Sequence, residues 1–227
     1  MRPTALIWFL AALSAPAAAQ PATALPTETL EAIRRHFPDD HAAVASALAG
    51  KAPAEARKAA YAAIDNFLRI RIAAIVAAPA PAVIALERRH GAMLRALGRK
   101  DVALCAVVGD RGFFSPEAAA GAPPPELDDY GAALVEAART GSANPAAVPP
   151  PAVREDYLAW LAAVDRIEPG VPVRAMLTDR ELRRNSSPDH LCRGAAAMHE
   201  AAASLPAGQA ERVSRTLLRS VLGVARN

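Results

Sequence analysis

The sequence predicts an all-α fold, a single domain of about ten short helices arranged as an orthogonal or irregular bundle. Three observations carry this. Apolar residues recur at spacings of three and four through most of the chain, as on one face of a helix. No stretch of useful length alternates apolar with polar residues as a half-buried strand does. Prolines, capping residues and glycines punctuate the chain where short helices would start and stop.

The first helix is expected from Thr27 (TETLEAIRRHF), with Thr27 as N-cap, Leu30, Ile33 and Phe37 on one face, and Pro38 as its end. Asp39 or Asp40 then caps a short helix through Ala49, closed by Gly50. Pro53 opens the longest helix, to about Ala78, along which Tyr61, Ile64, Leu68, Ile72 and Ile75 form a stripe for the centre of the core. After Pro79 and Pro81 comes a helix ending at Gly98, followed by a shorter one carrying Cys105 to Val108. Residues 112–125 and 141–151 read as proline-rich loops. Helices follow from near Glu126 and Val153, from Val173 to Arg184, from the Ser187 cap through Ser204, and from Pro206 to Ala225. The two starts at DDYGAAL and EDYLAWL look alike. Shared helix-start chemistry, proline before the helix and acids facing its positive end, accounts for that without a repeat.

Ahead of these helices, Arg2, the apolar run Ala5–Leu13, Pro16 and the small residues Ala17–Ala19 have the order of an export signal cut between Ala19 and Gln20. The run is too short for a bilayer, which takes about 20 apolar residues. The expected organisation is a signal peptide at 1–19, a flexible leader at 20–26 and one helical domain at 27–227, in the periplasm of a bacterium or secreted. Charge is balanced, 26 Lys and Arg against 23 Asp and Glu, which argues against a nucleic-acid binder with its large basic excess. Hydrophobic residues make up 52% but aromatics only 4%, so alanine fills the core and the helices must approach closely. In an oxidising compartment the two cysteines, Cys105 and Cys192, are expected to form a disulfide that staples this weak core.

Chemical motifs are sparse. His36, Asp39, Asp40 and His41 bracket a helix junction, but a third strong ligand is missing and the acids suit helix capping. A zinc set of Cys105, Cys192, His190 and His199 would compete with the disulfide for the same sulfurs. His199 and Glu200 start a metalloprotease-like helix motif that Ala203 breaks. Glu31, Glu87, Glu126 and Glu200 are each suited to an acid role, with nothing to single one out. Glycine-rich phosphate loops and nucleophile elbows do not occur. No cofactor or metal is therefore expected. The feature with most promise is a basic row on the last helix, Arg212, Arg215, Arg219 and Arg226, suited to an acidic partner protein or an anionic membrane surface.

These observations favour an exported helical protein without evident catalysis, acting through protein or envelope surfaces on a partner in the cell envelope. The alternative is a small helical hydrolase or ligand-binding protein with its pocket near Tyr157 and Trp160, where the aromatics gather.

Overall fold

The computed structural model describes residues 25–112 and 125–223. The expected signal at 1–19, all but the end of the leader, most of the 112–125 loop and Arg226 lie outside the described residues. Among them are twelve α-helices and no strand, so the chain is all-α. The helices are α1 (Thr27–His36), α2 (Pro38–Leu48), α3 (Pro53–Ile70), α4 (Ile72–Ala77), α5 (Ala80–Lys100), α6 (Val102–Arg111), α7 (Pro125–Ala143), α8 (Arg154–Ile167), α9 (Val173–Thr178), α10 (Arg180–Asn185), α11 (Pro188–Ser204) and α12 (Ala207–Gly223).

Two of the expected helices are each divided in the structure, for local reasons. The long 53–78 segment breaks at Arg71, whose backbone leaves helical geometry at φ −101° and ψ 10°. Its guanidinium pairs with Asp40 of α2 and lies 4.5 Å from the Phe37 ring centre and 5.0 Å from that of Phe67. The bend is thus fixed by a cation seated between two aromatic faces. Between α9 and α10 the break is a cap, because the Asp179 carboxylate accepts hydrogen bonds from the N–H groups of Glu181 and Leu182 at 2.8 and 3.0 Å.

Capping also differs from expectation at the start of α1. Thr27 lies inside the helix, and the cap comes from another element. The Asp128 carboxylate of α7 accepts from the backbone N–H of Glu28 and of Thr29, each at 2.8 Å, and from the Thr29 hydroxyl at 2.7 Å. The first helix ends before Pro38 as expected, with Phe37 as its C-cap, and Pro38 also opens α2 at its first position, where a missing N–H costs nothing. Asp39 and Asp40 fall in the first turn of α2 instead of capping it. Gly98 is interior to α5, which runs on to Lys100, and Asp101 caps α6 through the Leu104 N–H at 2.9 Å.

α11 is the common wall of the interior. Its Cys192, Ala195 and Ala196 belong to a larger apolar cluster built with α1, α3 to α7 and α12. Its Ala197, Ala201 and Ala202 belong to a second cluster with Trp160, Val164, Val173 and Val213. Small residues let backbones approach. At Gly141 of α7 an added Cβ would overlap the Ala74 carbonyl oxygen of α4 and lie 2.9 Å from the Ala78 nitrogen. At Gly91 of α5 it would lie 2.6 Å from Glu200 Cγ. Cys105 of α6 and Cys192 of α11 are joined by a buried disulfide, with 5.2 Å between their Cα atoms. No helix among the described residues is long and apolar enough to cross a membrane.

Candidate functional site

α5 carries the segment ERRH, which places Glu87 and His90 one turn apart on the inward side of the helix. α11 brings His199 against them, and α7 brings Tyr130. All four side chains are buried. The Glu87 carboxylate and His199 Nδ1 are 2.5 Å apart. The His199 and His90 rings stack with centres 3.6 Å apart, and the Tyr130 hydroxyl is 3.3 Å from His90 Nδ1. Burial, and then the neighbouring His199, hold His90 well below the usual imidazole range, so it is neutral. Burial, and then the nearby Glu87, push the Tyr130 phenol well above its usual range. The second Glu87 oxygen is buried with no hydrogen-bond partner among the described residues. The imidazoles stack face to face instead of converging on a point. Among the described residues no group of three His, Cys, Asp or Glu side chains is placed to hold a metal ion.

The Tyr130 ring forms part of the floor of a cleft of about 670 Å³ between α1, α5 and α7. Its apolar lining is otherwise made by Ala32, Ala92, Met93, Ala132 and Ala133. Charged side chains line the walls, among them Glu28, Glu126, Asp129, Arg35 and Arg89. Some wall charges are already neutralised. Glu31 holds Arg34 at 2.6 Å, and this pairing keeps its carboxyl below the ordinary range. Glu136 pairs with Arg139, and His36 Nε2 stands 3.3 Å from its other oxygen. Glu126 approaches Lys100 at 3.6 Å. By contrast, the Glu28 and Asp129 carboxylates and the Arg89 guanidinium lack an ion-pair partner among the described residues.

The residues expected to carry chemistry from sequence alone are dispersed. His36 faces α7, while Asp40 is drawn to Arg71, so the 36–41 segment does not converge as a ligand set. The disulfide uses both sulfurs of the imagined zinc set. Glu200 holds Arg95 at 2.8 Å in a network that includes Glu168 and Arg193. Only Glu87 of the four carboxylates joins the buried cluster.

The arginines of the last helix do not form one solvent-facing row. Arg212 makes two 2.7 Å hydrogen bonds to the buried Asp156 carboxylate of α8, and they hold that carboxyl down at about 2. Arg215 is itself buried, paired with Glu211 at 2.6 Å and donating to the Val76 carbonyl. Arg219 alone of the described three is exposed. The spacing is real, but α12 turns Arg212 toward the Asp156 carboxylate and Arg215 toward the Val76 carbonyl, both far off in sequence.

The cleft between α1, α5 and α7 is not lined by the aromatic pair. Trp160 is buried in the second cluster, its indole N–H donating to the Met198 carbonyl at 2.8 Å, and Tyr157 packs edge-on at 6.4 Å with its face to solvent. The cleft lies elsewhere, between helices whose pairing the sequence does not announce. A visible signal for the buried cluster did exist: Glu87 and His90 sit at i and i+3 with Val83, Leu86 and Leu94 on the apolar side of α5.

Comparison with protein-family models, with curated proteins and with solved structures finds no match.

Proposed function

We propose that this chain is an exported helical binding protein that holds a small ligand in the cleft between α1, α5 and α7. The carrying observation is the cleft itself: its volume of about 670 Å³ falls in the range of small-ligand sites, roughly 300–1,000 Å³. It also combines an apolar floor with ionic side chains that no neighbour neutralises. Binding is favoured over catalysis because the buried Glu87, His199 and His90 cluster meets the cleft only through Tyr130, whose hydroxyl is turned inward to His90. Export is supported by the leader-like order of the first nineteen residues and by the disulfide, which persists in oxidising compartments.

The test is a thermal-shift screen of the purified protein against cationic, anionic and zwitterionic small molecules, run beside an Ala92→Trp variant that fills the floor. The reading predicts a class that stabilises the wild type and leaves the variant unmoved. Equal shifts in both proteins, or none in either, would overturn it.

A second reading, action through a protein partner, is favoured by one surface. Val153, Tyr157 and Leu158 expose 50%, 36% and 46% of their area at the start of α8, close enough in sequence to form one apolar patch. A Tyr157→Asp, Leu158→Asp double variant that captured the same envelope proteins as the wild type would remove it.

A further inference from the structure

Beside the disulfide a pocket of about 220 Å³ opens between α5, α6 and α11, and the two cysteines stand differently toward it. Cys192 contributes to its lining; Cys105 does not, and is fully buried. Gly98 of α5 lines the pocket too, as its one residue without a side chain. A Cβ on Gly98 would lie 2.6 Å from the Cys192 sulfur and 3.6 Å from that of Cys105. No side chain at position 98 therefore covers the bond, and its Cys192 end is the nearer. On the α6 side the lining is Val102, which is 39% exposed.

Two of the three arginines that line the pocket are already engaged. Arg95 is held by Glu168 and by Glu200 at 2.8 Å, and Arg193 by Glu168 at 2.6 Å and Asp189 at 3.1 Å. Arg99 lines the pocket, is exposed, and has no ion pair among the described residues. A thiolate entering here meets one uncompensated cation. The opened bond also has an acceptor in place. The Leu94 carbonyl oxygen of α5 lies 3.2 Å from the Cys105 sulfur. Bonded to Cys192 that sulfur carries no proton; as a thiol it donates its S–H to Leu94 where it stands. A released Cys105 is thus not left as an unsatisfied buried group, which would oppose reduction in a dry core.

We infer that Cys192 is a site of thiol–disulfide exchange in the folded protein, reached by small-molecule thiols through this pocket, while Cys105 is the leaving sulfur. The thiolate sulfur bonds to Cys192 Sγ as the bond between the two cysteines breaks. The electron pair leaves on Cys105 Sγ, which takes a proton from water. A second thiolate attacks the outer sulfur of the adduct, freeing the small-molecule disulfide and leaving Cys192 as a thiolate. Two small thiols are oxidised to one disulfide as the protein disulfide is reduced. The staple between α6 and α11 is then one that a reductant opens without unfolding the chain.

The experiment treats the folded, oxidised protein with mercaptoacetate at about pH 8, where part of the thiol is thiolate. Free thiols are trapped by alkylation at successive times, and the adduct is mapped by mass spectrometry. The rate should rise in proportion to thiol concentration, with the first adduct on Cys192 and the first free thiol on Cys105. Val102→Trp should slow the reaction about 10-fold by filling the opening, and Arg99→Glu about 5-fold by setting an anion beside the approaching thiolate. Both residues are exposed, so the variants should fold as the wild type does. A rate independent of thiol concentration means that the chain must unfold first, and overturns the inference. A first adduct on Cys105, or an unchanged rate in either variant, overturns it too.

Discussion

The Cys105–Cys192 bond closes a loop with a sequence separation of 87 residues, and its contribution can be worked from that length. Cross-linking removes chain entropy from the unfolded state as a constant plus a logarithm of loop size, which for this loop comes to about 4.5 kcal/mol at 25 °C. For a chain of this size each kcal/mol moves the melting temperature by about 2–4 °C, so opening the bond should lower it by about 10–15 °C. The loss weighs heavily here because the wall that carries Cys192 is lined by Ala195, Ala196 and Ala197, which each bury little area. The assay is calorimetry of the oxidised protein, of the protein reduced under denaturing conditions and refolded with its thiols blocked, and of a Cys105→Ala, Cys192→Ala double variant. Both opened forms should melt early by similar amounts. If the double variant melts within a degree or two of the oxidised wild type, the bond does not restrain the unfolded chain and the staple argument fails.

Three more expectations concern the packing and its acid response. Gly141→Ala should cost about 3 kcal/mol in urea denaturation, because α7 must leave the Ala74 carbonyl it now touches. Asp156, held down by Arg212, contributes stability that is complete above about pH 4 and lost as pH falls toward 2; Asp156→Asn should flatten that part of a stability-versus-pH curve. His90 is neutral in the native state, so below about pH 6.5 the unfolded chain gains a proton the folded one refuses, and stability should fall by at most about 1.4 kcal/mol per pH unit. His90→Phe should remove that slope while Glu87, His199 and Tyr130 stay in place.

How much of this was legible in the sequence divides along one physical line. Local chemistry was readable: the apolar stripe Tyr61, Ile64 and Leu68 is buried, and Ser187 caps α11 through the His190 N–H at 3.2 Å. What depends on a partner distant in sequence was not. Arg71 breaks a helix only because Asp40, Phe37 and Phe67 surround it. Arg212 and Arg215 leave the basic row only because Asp156 and the Val76 carbonyl meet them. Periodicity assigns a residue to a face but not to what the face will touch. The cleft is the extreme case, since its charges come from three helices whose pairing no local pattern announces.

The same geometry makes a prediction about why the cleft is open. α1 and α5 both pack on α7, and where they would meet each other the sequence supplies Ala32, Ala92, Ala132 and Ala133. Filling that space should be favourable for the fold, because a longer apolar side chain there buries surface without displacing a neighbour. Ala132→Leu adds three carbons at about 0.8 kcal/mol for each one fully buried, and with the side chain only partly covered a gain of about 1 kcal/mol is expected. The same variant should lose the ligand, since its side chain takes up space in the cleft. Stability and binding would then move in opposite directions, which is the signature of a space kept for a function. If Ala132→Leu instead destabilises the protein, the floor is already packed and the cleft is no wider than the helices need.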